Sequence, residues 1–349
     1  MNKIITLKEP SLKRDDLLSV LDALAQRKIF PKDIYEQTLN SLKQILGLNN
    51  ILLVSSKYVA LALILQSLDK KYNNLYCSDD LNYFYFNQFN DYFEKIYPLD
   101  INQYSLYFDP QILQDISKSI LFFSYNLGYP VDIEYIPKID IISIADFSGS
   151  LFAKFNGQYL LSYVDFAICS LKDEEIVTAG DGALIYIKDK KTYDRINEFA
   201  FRNNLYLSDF NCSLLISQLS KRERIIDSRK KLFFAIYEQT KEYSLNSSWF
   251  DSRKLFEKWT CDQIIANSTF TTFTIDVKDI KLSESIADQI GVEIACSIEK
   301  PISLNLKVSD RFLLTEKVAT HAILIPFYPL LNIDDFNKII YLIKKVSTY

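Results

Sequence analysis

Residues 170–183 read SLKDEEIVTAGDGA and carry an amine at Lys172 and a carboxylate at Glu175 within one short polar stretch. A lysine amine can condense with a carbonyl to an imine; a carboxylate cannot, and serves instead as a proton acceptor. Two further candidates lie upstream, Lys57 in the run VSSKYVAL and Asp146 in the run IADFSG. An aspartate directly after an apolar run either belongs to a site at a strand end or caps the next element. Together with Glu175 it makes a pair of carboxylates, one of which could act as a general base. The Lys57 ammonium either supplies charge for an anion or is a solvated side chain.

These groups need a frame. DFAIC (165–169) and ALIYI (183–187) are short apolar runs that read as buried strands, and Gly180, Asp181 and Gly182 supply the turn that closes the polar loop between them. The same reading places strands at 51–54, 75–78, 95–100, 119–124 and 139–145. Helices fall near Ser11 onward, with Leu17, Leu18, Leu21 and Leu24 as the apolar positions, at 33–46 ending on Gly47, at 82–93 and at 193–201. Residues 209–242 read as long helices with Leu214, Leu215, Ile216 and Leu219 as an apolar stripe, and 221–224 as a solvated helical face. Short strands separated by helices define an α/β domain with a mainly parallel sheet. After residue 244 the pattern changes to strands at 270–276, near Val292 and at 322–326, with helices at 283–290 and 334–346, a smaller α+β domain. The expected division is 1–240 and 241–349.

Composition narrows the function. The chain has 349 residues, 40 basic against 44 acidic, and 48% hydrophobic residues, so it can bury a sizeable core and carries no excess of positive charge for a polyanion. Nucleic acid and membrane are not expected partners: the first residues lack a signal-peptide core and the apolar runs are too short to span a bilayer. A cytoplasmic setting is expected. The five cysteines are scattered without a C-x-x-C pair, and the one histidine, His321, reads as structural, so no metal site is expected. Seven glycines are few for a fold that cradles phosphate on backbone N–H groups.

Ser170 followed without a gap by TAGDGA at 178–183 resembles the Schiff-base loop of the DegT-type nucleotide-sugar aminotransferases, PLP-dependent enzymes of fold type I. Four other segments fit in the same order. VSSKYVAL (54–61) is similar to the family's V-S-S-G-T-A-A-L phosphate turn, LGYPVD (127–132) to its G-x-P-x-D turn, DFSG (146–149) to its E-D-A-A-[QH] segment, and NLYLSDF (204–210) to N-Y-R-M-S-E-L. The C-terminal part, including the closing segment 323–345, resembles the family's small domain. The implied fold is a mainly parallel sheet flanked by helices, with a smaller α+β domain after it.

The resemblance assigns roles and shows where they are lost. The imine-forming lysine falls on Glu175. The phosphate would rest on Ser170, Ser56 and the turn at Lys57 and Tyr58, which replace a glycine and a threonine. The ring-stacking aromatic falls on Asn82, with Tyr83 one step away, and the Gln or His after the pyridine-binding aspartate falls on Gly149. Asp146 keeps the aspartate that pairs with the pyridine nitrogen, and Asn204 matches the asparagine that reaches the neighbouring subunit's phosphate, implying a homodimer. Losses at both covalent and phosphate positions imply that PLP is not bound and that the chain has a binding, regulatory or partner role in cell-surface polysaccharide synthesis. Two alternatives stay open: a PLP enzyme using Lys172 for the imine, and cofactor-free base chemistry by Glu175 and Asp146. A nucleotide-linked sugar is the implied ligand class.

Overall fold

The structure, a computed structural model, describes the chain apart from residues 1–3, 29–31, 69–73, 82, 102–118, 126, 135, 137–140, 173–174, 246–250, 299–300, 307–312 and 349. The strands are β1 (Ile51–Val54), β2 (Asn74–Ser78), β3 (Lys95–Leu99), β4 (Ile120–Ser124), β5 (Ile142–Asp146), β6 (Lys154–Phe155), β7 (Gln158–Tyr159), β8 (Phe166–Ser170), β9 (Ala183–Ile187), β10 (Thr274–Asp276), β11 (Ala295–Cys296) and β12 (Ala322–Leu324). Seven of them form one sheet in the order β1-β9-β8-β5-β4-β2-β3. Within it only β9 runs against the others, pairing antiparallel with both β1 and β8. The sheet is therefore mainly parallel, as the alternation of strand and helix requires.

Helices cover both faces. These are α2 (Asp33–Leu46) and α6 (Asp209–Ser220) on one face and α3 (Lys57–Ser67), α4 (Tyr83–Asn90) and α5 (Lys190–Arg202) on the other, while α1 (Arg14–Ala25) packs on α6 and α7 (Arg222–Thr240) runs from the sheet domain into the C-terminal core. Side chains alternate across each strand. In β1, Ile51 and Leu53 enter a core shared with α2 and α6, while Leu52 and Val54 enter the opposite core with α3, α4 and α5. β8 divides in the same way, Ala167 and Cys169 to one side and Phe166 and Ile168 to the other. The α2 bounds match the sequence expectation, and Gly47 ends the helix in the left-handed conformation at φ 65°.

A third core gathers most C-terminal elements, α8 (Leu255–Lys258), α9 (Cys261–Asn267), α10 (Ile280–Ile290), α12 (Leu313–His321) and α13 (Ile333–Thr348), around the small sheet β10-β12-β11, whereas α11 (Ile302–Leu306) packs through Ile302 and Leu306 in the core of α3, α4 and α5. Ile5 and the α7 residues Phe233 and Ile236 belong to it as well. The strand expected near Val292 is β11, and Val292 itself forms a single bridge to Ile5.

Two sequence expectations change. Leu17, Leu18, Leu21 and Leu24 do not face the core; they are about half exposed, and α1 turns Asp16 and Ala23 inward instead. The reason is polar: buried Asp16 accepts hydrogen bonds from Ser217 Oγ at 2.7 Å and Lys221 Nζ at 2.8 Å, fixing that face of α1 on α6. Lys221 is thus a tie between helices rather than part of a solvated face. His321 ends α12, its Nδ1 within reach of the Lys317 carbonyl.

Candidate functional site

Sheet register sets the site. Val54 and Ser170 both pair with Ala183, and Asp146 pairs with Ser124 and Ile168, so the ends of β1, β5 and β8 lie along one edge. In open α/β sheets that edge is where ligands bind. Asp146, wholly buried, stands at its centre.

Its carboxylate is fully engaged. Lys57 Nζ lies 2.6 Å from Oδ2, and the Tyr85 hydroxyl donates to the same oxygen at 2.7 Å. The Ser148 amide donates to Oδ1 at 3.0 Å, and the Ser148 hydroxyl also donates to it. An ionised carboxylate offers about four lone-pair sites. All are used. Burial would raise the Asp146 pKa, but the Lys57 charge and these hydrogen bonds outweigh it and hold it below the ordinary carboxylate value. Burial would likewise depress the Lys57 ammonium, yet the Asp146 carboxylate raises it on balance. The Lys57 side chain is 23% exposed, and its Nζ also lies 5.0 Å from the centroid of the Tyr85 ring. The expectation of a solvated lysine, or of one waiting for an external anion, gives way to a different arrangement: the anion is Asp146.

Lys57 reaches this position because Ser56 caps α3, its Oγ accepting from the Val59 amide at 3.1 Å, so the helix starts at Lys57 itself. Its neighbour Tyr58 points elsewhere and is 52% exposed. Ser148 links the strands: it donates to Asp146 while its Oγ accepts from the Ser170 amide at 2.9 Å. Ser170 is buried and its Oγ accepts from the Lys172 amide. Gly149 faces away, its carbonyl bound by the hydroxyls of Thr269 and Thr271.

The loop after β8 divides its two candidates. Lys172 is exposed, its backbone bridged to Gly180, while Glu175 is half buried and acts electrostatically on both Lys57 and Arg229. Arg229, 3% exposed on α7, donates to the carbonyls of Thr271 and Phe327, and burial lowers its pKa to about 10 against the raising effect of Glu175. Asn204 lies outside this group. It takes φ 52° after α5 and lines an open groove of about 1060 Å³ with Lys32, Tyr35, Phe201 and Tyr206. Asn82 lies outside the described residues. Among the described residues no group of three or more His, Cys, Asp or Glu could hold a metal.

Three members of the site were not foreseen: Tyr85, Ser148 and Arg229. Asp-x-Ser at 146–148 is a local turn signal that could have revealed Ser148. Tyr85 is hidden in the aromatic run 83–86 and Arg229 in the charged run 229–231, where only the packing separates one side chain from its neighbours.

Pyridoxal phosphate in the family's manner needs an amine for the imine and a free carboxylate for its pyridine nitrogen. Glu175 supplies no amine, and Asp146 has no lone pair left. The residues present do not fit the group.

The fold is nevertheless that of PLP-dependent aminotransferases. The family described as DegT/DnrJ/EryC1/StrS aminotransferase matches residues 98–344, and the chain belongs to it. Solved structures with the same fold include a sugar aminotransferase Spr1654 from Streptococcus pneumoniae in its PLP form, at 16% identity and TM-score 0.84 over 99% of both chains. Helicobacter pylori PseC, an aminotransferase of pseudoaminic acid biosynthesis, is also 16% identical with TM-score 0.84, over 99% of this chain and 100% of its own. A point mutant of GDP-4-keto-6-deoxymannose-3-dehydratase (ColD) with bound GDP-perosamine is 15% identical with TM-score 0.83, over 97% of this chain and 100% of its own. No curated protein sequence matches the chain.

Proposed function

We propose that this chain is a sugar-aminotransferase-family protein that does not carry out transamination and serves as a binding, regulatory or partner subunit in cell-surface polysaccharide synthesis, in the cytoplasm. The observation that carries the reading is Glu175, a carboxylate at the position where the family's chemistry needs an imine-forming amine. The saturated Asp146 carboxylate supports it, and also argues against general-base chemistry there, because a carboxylate held below its ordinary pKa by the Lys57 charge and its hydrogen bonds is a poor proton acceptor. A nucleotide-linked sugar is the proposed ligand class, in keeping with the GDP-perosamine bound by ColD. A homodimer is proposed, with Asn204 facing the second copy; the exposed leucines of α1 are apolar surface that a partner would cover.

The test is the absorption spectrum of the purified protein with and without added PLP, followed by borohydride reduction and mass mapping. The expected outcome is no aldimine band and no labelled lysine. A band with label on Lys172 would replace this reading with that of an active enzyme using a non-standard lysine.

A further inference from the structure

We propose that Lys57 is a built-in replacement for the cofactor's ring cation: the ammonium occupies, on Asp146, the place that a protonated pyridine nitrogen would take, and the protein closes the site with its own charges. This inference rests on the cofactor-free reading above and says what has taken the cofactor's place.

A carboxylate with no exposure is costly to bury unless it is both paired and hydrogen-bonded. In an enzyme of this fold that holds PLP, the cofactor itself supplies the positive partner. Here the partner is Lys57 at 2.6 Å, delivered from the first residue of α3, the same turn in which the family places a glycine. A glycine there leaves the space before Asp146 open; a lysine fills it. Tyr85 completes the exchange. Burial, and then the Asp146 charge, push its phenol well above the ordinary value, so it remains a donor to Oδ2 while its ring face lies under the ammonium.

The second change compensates the first. Bringing a lysine into the site while keeping another at position 175 would leave two ammonium groups and Arg229 against one carboxylate. With Glu175, the charges among the described residues at the centre are Lys57 and Arg229 against Asp146 and Glu175, and the Glu175 charge acts on both cations. Lys57 and Glu175 therefore read as one coupled exchange across the site, in which a positive charge has moved from the loop after β8 to the turn after β1.

The test is a double-mutant cycle on the cofactor-free protein with Lys57→Met, Asp146→Asn and the pair, each unfolded in urea at neutral pH. Lys57→Met removes the charge and keeps most of the stem. It should lower the folded-to-unfolded ratio at least a hundredfold, about 2.8 kcal/mol at 1.4 kcal/mol per tenfold, and Asp146→Asn should restore at least tenfold of that loss. A Lys57→Met protein within threefold of the wild type, or losses that simply add, would overturn the inference. A second measurement uses the wild type alone, in case a variant does not fold. Amine acylation followed by mass mapping should label Lys57 at least tenfold more slowly than exposed Lys172; equal rates would overturn it. Failure of the cofactor-free reading shows separately, as an aldimine band in the wild-type spectrum.

Discussion

At Gly182 the backbone runs at φ 115°, and a Cβ there would sit 2.5 Å from Leu207 Cδ1 and 3.1 Å from the Val54 carbonyl oxygen. The first is a side-chain tip that can shift; the second is backbone and cannot easily do so. Gly182→Ala is expected to cost about 2 kcal/mol or more through combined strain and crowding, read as a lower urea midpoint. Ser148 offers a second test. Its hydroxyl joins Asp146 to the Ser170 amide, so Ser148→Ala leaves that buried amide unpaired and is expected to cost roughly 1–3 kcal/mol. Much of this was legible beforehand: Gly182 as turn chemistry, and Asp146 and Lys57 as groups at strand ends. Their pairing with each other was not, because nothing local in VSSKYVAL or IADFSG says that the two strand ends share an edge.

Among the elements, α2 shows how far a cap can come from its helix. Its N-terminal amides of Lys32, Ile34 and Tyr35 all donate to the Asp209 carboxylate at the start of α6. Asp209 in turn is 1% exposed. Asp209→Ala is expected to destabilise the protein by about 2 kcal/mol, at the upper end for a lost cap, and hydrogen exchange should rise first in the initial turn of α2. The sequence shows the extent of α2 through its periodicity and Gly47, but not its capping partner. The exposed leucines of α1 mark the same limit: their spacing reads as a buried stripe, whereas buried Asp16, held by Ser217 and Lys221, decides which face turns inward. The proposed division after residue 240 falls at the end of α7, although Phe233 and Ile236 of that helix pack in the C-terminal core.

Over the whole molecule, buried carboxylates set the pH dependence. Burial lifts Asp79 to about 6, with Ser303 opposing it, and lifts Asp80 and Asp276 to about 7. In the unfolded chain these groups titrate near 4. The folded state then binds more protons between pH ~4 and ~7, so stability falls as pH rises through that window. Asp146 works in the other direction, but only near and below pH ~4: its stabilisation is present above the unfolded carboxylate pKa and lost as pH falls through its depressed folded value. Lys57, raised in the fold, keeps its contribution up to the ordinary lysine range near 10 and loses it above. Thermal unfolding should therefore show a midpoint several degrees higher at pH 5.5 than at pH 8; an equal or lower midpoint at pH 5.5 would show that those three carboxylates ionise normally. The α/β class, the seven strands of the large sheet and the family were legible from apolar runs and spaced motifs, whereas the order of those strands in the sheet was not. The proton-binding carboxylates were not, since Asp79, Asp80 and Asp276 look in the sequence like any other aspartate.

The site assembles in a fixed order along the chain. β1 is made well before its partner strand β9, which must itself lie against β8, and before Tyr206, which bridges Val54 on the other side. Until then the Lys57 turn has no fixed seat beside Asp146. Such distant pairing is slow, because the loop must close before any contact repays it. The charged centre should thus be among the last parts to become native, and an ILLV strand waiting for its neighbour is the segment most in need of a chaperone's cover.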